Sequence, residues 1–204
     1  MTKTLLASLC LAAACALPAH ATTVVDTGTP DGQAVGSLAF DSADWVAGQI
    51  SFASDSTIDA IQGHVLAGTA GETFDISLFA NDGGVGPGSL LYTTTATFAG
   101  DGWNGVSGLT GWNVAGGASY WVEFEVQGGD TLDGTALIDL GAPSALAHTV
   151  STSDSGFHYD SSPLSFGLRV DASTVSAVPA PASGALMLAG LAWLSLLAFA
   201  RRAR

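Results

Sequence analysis

The stretch Ser119–Gln127, SYWVEFEVQ, constrains the fold of this chain more than any other. Tyr120, Val122, Phe124 and Val126 occupy one side of a two-residue alternation, with Trp121, Glu123, Glu125 and Gln127 on the other. That is the period of an extended strand, not of a helix. A strand needs neighbours for its backbone groups, and the surrounding sequence supplies them. Val46, Gly48, Ile50 and Phe52 alternate with Ala47, Gln49 and Ser51, and Ile58, Ile61 and Val65 mark a second run before Gly68. Phe74, Ile76 and Leu78 alternate with Asp75 and Ser77, and Leu90–Phe98, LLYTTTATF, is a β-branched run. Thr135–Leu140 is a shorter run, and Leu164, Phe166, Leu168 and Val170 alternate with Ser165, Gly167 and Arg169. Asn81–Gly88, NDGGVGPG, has the residues of a hairpin loop, because Asn and Gly tolerate positive φ and Pro87 has no N–H for a ladder. About seven to nine short strands at this spacing, with no helical period between them, predict an all-β, antiparallel, jelly-roll-like β-sandwich.

The two ends are of another kind. Met1–Ala21 carries Lys3, an apolar stretch from Leu5 to Leu17, and small residues at Ala19 and Ala21, which predicts a signal peptide cleaved after Ala21. At the other end Ala182–Ala200 is 19 residues without a charge. As a helix it extends roughly 28 Å at about 1.5 Å per residue, close to the thickness of a bilayer's hydrocarbon core. Arg201, Arg202 and Arg204 follow, and positive charge beside a span holds that end in the cytoplasm. The expected layout is a signal peptide (1–21), a β-sandwich ectodomain (22–171), a linker with a proline motif (172–181), one transmembrane helix (182–200) and a basic cytoplasmic tail (201–204). Residues between the two ends then lie outside the cytoplasmic membrane.

Charge and cysteine usage exclude several functions. All 18 acidic residues lie between Asp26 and Asp171, against one basic residue in that stretch, Arg169, a net charge of −17. A lysine-free domain of this charge has no means of neutralising phosphates, which excludes nucleic acid as a partner. Both cysteines, Cys10 and Cys15, fall in the predicted signal peptide. The mature chain therefore has no disulfide framework, thiol nucleophile or thiolate metal site.

The remaining chemistry is sparse. His64, His148 and His158 are separated by 84 and 10 residues, without a second His or Cys at metal-ligand spacing. Ser155, His158 and Asp160 are close in sequence, but a hydrolytic triad assembles across a fold and needs an oxyanion hole. No catalytic residue is assigned, and the chain is read as a non-enzyme. Glu123 and Glu125 share a strand face, where like charges predict solvent exposure over a buried acid pair. Asp82, Asp130 and Asp133 are calcium candidates among backbone oxygens, since hard cations accept carboxylates without a strict linear motif; no other cofactor is expected. Trp45, Trp103, Trp112 and Trp121 either stack on sugar rings or fill the sandwich, with Trp103 and Trp112 as the candidates for stacking. The threonines of Leu90–Phe98 form an array on paper, and Thr is equally a good strand residue.

Val178-Pro179-Ala180-Pro181-Ala182, the single span and Arg201-Arg202-Ala203-Arg204 resemble the PEP-CTERM sorting signal of Gram-negative bacteria, a tail also labelled an ice-binding-protein C-terminal domain. Val178, Pro179 and Pro181 match the sorting motif, with Ala180 where glutamate is usual. The resemblance implies that an exosortase, a membrane-embedded transpeptidase, cuts near the prolines. The protein would then pass from the inner membrane to the cell surface or the extracellular polysaccharide matrix. FDISLFANDGG (Phe74–Gly84), PGSLLY (Pro87–Tyr92), SYWVEFEV (Ser119–Val126) and SFGLRVD (Ser165–Asp171) resemble choice-of-anchor β-sandwich ectodomains that carry such tails, a group that implies no activity. The function expected is structural or adhesive, in biofilm or exopolysaccharide. A carbohydrate-binding module is the alternative, and a secreted hydrolase a further one.

Overall fold

The computed structural model describes residues 21–30, 37–40, 44–132, 137–153, 156–160 and 166–175. The predicted signal peptide up to His20, the proline motif, the span and the terminal arginines lie outside the described residues. Thirteen strands are described. They are β1 (Thr22–Asp26), β2 (Ser37–Ala39), β3 (Val46–Ser51), β4 (Ser56–Leu66), β5 (Thr73–Ala80), β6 (Leu90–Thr97) and β7 (Gly102–Ser107). They continue as β8 (Asn113–Val114), β9 (Ser119–Glu125), β10 (Leu137–Asp139), β11 (Thr149–Ser153), β12 (Gly156–Asp160) and β13 (Leu168–Thr174). No helix occurs among the described residues. The count exceeds the seven to nine expected because short strands such as β1, β8 and β11 are too brief or too polar to show a period.

The strands form two antiparallel sheets. One runs β1-β13-β4-β10-β2, with β7 and β8 also paired to β4; the other runs β12-β11-β3-β9-β5-β6. One buried cluster joins them, with Ile58, Ile61 and Val65 of β4 and Leu168 and Val170 of β13 facing Ile76 and Leu78 of β5 and Val122 and Phe124 of β9. Phe124 lies at the centre, edge-on to Phe166 with ring centroids 5.9 Å apart. Gly63 on β4 makes that approach feasible, since a Cβ there would stand 2.7 Å from the Phe124 ring. This is a β-sandwich-like arrangement, with the alternating side chains of both inner faces forming the core.

Strand β13 runs to Thr174, beyond the last strand expected from the sequence. Asp171, Ala172 and Ser173 pair with Ala60, Ile58 and Thr57, and Ala172 is buried, so the polar stretch thought to begin a linker is still sheet. The first and last described strands are neighbours, with Thr22 opposite Ala172.

Candidate functional site

The site lies on the outer face of the second sheet and is built around β9. Register fixes its layout. Glu123 stands between Ala47 of β3 and Ser77 of β5, and Trp121 stands between Gln49 and Phe79. Next in line, Glu125 is opposite Asp75. A strand face with only polar residues would be solvated, but this one carries Trp121. Its indole packs with Ala47 and Val150, and Trp45 and Phe79 pack against them as a second, smaller apolar cluster.

That layer overturns the expected exposure of the carboxylate pair. Glu123 is 6% exposed and Trp121 is 1% exposed. Burial pushes the Glu123 carboxyl up to about 8, helped by the charge of Glu125 and by a hydrogen bond to it. At neutral pH Glu123 is therefore mostly protonated, and it donates to Glu125. Glu125 is held from two further sides. Its Oε1 accepts from Ser77 Oγ at 3.0 Å, and its Oε2 accepts from Gln127 Nε2 at 2.7 Å. Asp75 is also raised, first by burial and then by Asp130 and Glu125, against a hydrogen bond from Thr95 that lowers it.

Above this layer is an open cleft of about 490 Å³ whose described lining is Trp45, Phe79, Glu123, Asp82 and the loop from Gly84 to Gly88. The loop is the hairpin connection expected from NDGGVGPG, between β5 and β6. It is braced from within, as Asp82 Oδ2 accepts from both Ser89 N and Ser89 Oγ at 2.8 Å. Gly88 suits the turn, because a Cβ would stand 2.8 Å from the Ala80 carbonyl oxygen and collide with the Asp82 carboxylate.

Other residues singled out in the sequence are dispersed. Trp112 is 7% exposed and stacks on Tyr92, with ring centroids 5.2 Å apart, so it fills the sandwich and offers no face to a sugar. Trp103, on β7 of the first sheet, is half-buried; Arg169 covers one face, with its Cζ 3.8 Å from the ring centroid, and His64 meets it edge-on. Arg169 also contacts Asp26 at 3.2 Å. The calcium candidates do not converge. Asp82 follows the end of β5, whereas Asp130 is held near its start through the Thr73–Thr131 contacts. The eight residues of β5 separate them by roughly 23 Å at about 3.3 Å per residue. Asp133 lies outside the described residues, as does Ser155, and the side chains of His158 and Asp160 are not described. No group of three metal-ligating side chains occurs among the described residues. Thr93 and Thr95 project from β6 onto the acidic face, where Thr95 donates to Asp75 at 2.8 Å and Thr93 Oγ1 lies 3.0 Å from Ser77 Oγ.

Phe79 and the buried state of Glu123 were missed from sequence, and Trp45 stood among the four tryptophans considered for sugar stacking without being singled out. The available signal was Trp121, a large aromatic on the same strand face as the two glutamates. No family model matches the chain, and no curated protein matches it either.

Proposed function

We propose that this chain is an exported, adhesive protein of a bacterial surface or extracellular matrix, whose jelly-roll-like sandwich holds polysaccharide in the cleft over β9. The single observation that carries this reading is the cleft itself: Trp45 and Phe79 beside a carboxyl that is largely neutral at pH 7. Aromatic rings match the apolar faces of sugar rings, and a protonated carboxyl both donates to and accepts from hydroxyls. Delivery is assigned to the PEP-CTERM-like tail, with an exosortase as processing partner and the C-terminal helix as a temporary membrane anchor.

The test is retention of the purified protein on an array of bacterial polysaccharides. Trp45→Ala lowers affinity by about tenfold, while Trp103→Ala, on the other sheet, leaves it unchanged. Retention of no saccharide, or retention indifferent to Trp45→Ala, overturns the reading.

A further inference from the structure

The cleft carries a charge pattern that narrows its ligand, on the reading that it binds sugar. Two of its described lining side chains are carboxyls, Asp82 and Glu123, and two are aromatic, Trp45 and Phe79. The domain around it is lysine-free, and its one arginine is engaged with Asp26 and Trp103 on the other sheet. The Glu123 carboxyl is nine-tenths buried and tied to Glu125, which has its own donors in Ser77 and Gln127. A neutral sugar would find aromatic walls here but would not answer the acidic charge. A cation would do both, through the rings and through the carboxylates.

We propose that the cleft selects sugar rings bearing a protonated amine, and that the ammonium takes the place of the proton held between Glu123 and Glu125. The exchange balances: the ammonium keeps its three protons and donates to the carboxylate of Glu123, and the proton leaving Glu123 passes to the buffer. Charged groups around Glu123 all favour this direction. Glu125 stands beside it on β9, Asp75 of β5 faces Glu125, and Asp82 stands on the loop. From β3 and β11 the layer is uncharged, being Trp45 just before β3, Ala47 and Gln49 on it and Val150 on β11, and His148 precedes β11 with its carbonyl accepting from the Gln49 N–H. N-acetylation removes the amine's charge, so the cleft distinguishes an amino sugar from its acetylated form.

Calorimetry on the intact protein tests this with a glucosamine oligomer and its fully N-acetylated counterpart, at about pH 5.5, where the free amine is protonated, in buffers of different ionisation enthalpy. The expected result is a preference of about tenfold or more for the free amine, the scale of one hydrogen bond to a charged group. About one proton is released per site at this pH, where the amine and Glu123 both carry their protons before binding; by about pH 9 the free amine is itself neutral, as α-amino groups are, and the preference disappears. Glu123→Gln removes both the preference and the proton release, and the release measured on the unaltered protein needs no variant to fold. Equal affinity for the two oligomers, or no proton released, overturns the inference and leaves sugar binding in place. Failure of every saccharide to bind removes both.

Discussion

Replacing Glu123 with Gln is expected to flatten the pH dependence of stability. The perturbation is close to isosteric with the protonated acid, and the new carboxamide N–H still reaches Glu125. In the folded protein the Glu123 carboxyl is raised by burial, the charge of Glu125 and the hydrogen bond to it, from 4.5 to about 8. Folding therefore strengthens proton binding at this group. Between about pH 4.5 and about pH 8 the folded state holds more protons than the unfolded one, so stability is greatest on the acid side and falls as pH rises through that window. At about 1.4 kcal/mol per pH unit the whole window is worth roughly 5 kcal/mol. The carboxyl lines an open cleft and water screens part of its cost, so about 2–3 kcal/mol is the drop expected between about pH 5 and about pH 8. For a domain of this size that corresponds to a fall in Tm of about 5–10 °C. Histidines and the other carboxylates are common to both proteins, so the difference between the parent protein and Glu123→Gln isolates this group. The measurement is Tm by circular dichroism over that range, at fixed salt. A Tm that falls no more from pH 5 to pH 8 in the parent protein than in Glu123→Gln refutes the reasoning.

Gly63→Ala drives a methyl into the Phe124 ring across the sandwich, and a loss of about 1–3 kcal/mol is expected in urea denaturation. Ala67 adopts φ of 62° at the end of β4, a conformation that glycine takes without cost. Ala67→Gly is therefore expected to be neutral or to stabilise by up to about 1 kcal/mol, read in the same denaturation series. Deleting Arg201–Arg204, or changing Pro179 and Pro181 to Ala, is expected to leave the protein unprocessed in the inner membrane. Unchanged size and surface yield on immunoblots of fractionated cells would remove the sorting proposal.

Much of the sandwich was legible without coordinates, because strand periodicity is local. The alternation in Ser119–Gln127, Phe74–Leu78 and Val46–Phe52 sets which side chains face the core, and β9, β5 and β3 show those faces buried. NDGGVGPG could be assigned to a hairpin because positive φ and the missing N–H of proline are properties of single residues. Short strands escaped notice because a few residues, as in β2 and β8, show no period, and the end of β13 escaped because its one buried side chain there is only Ala172, among polar neighbours.

The site was less legible, since it depends on which strands become neighbours. Composition alone determined that the domain is acidic, lysine-free and free of cysteine after its first segment, and alternation alone determined that Glu123 and Glu125 share a face with Trp121. Only tertiary structure decided that this outer face is itself partly buried. Strands β3, β5 and β11 bring Ala47, Phe79 and Val150 to Trp121 from positions distant in sequence, and Trp45 joins them. Sequence spacing then predicts the charges on a strand, whereas packing around that strand sets whether a carboxyl is surrounded by water or by aromatic rings. That surrounding changes the protonation state of Glu123 and, with it, the chemistry available in the cleft.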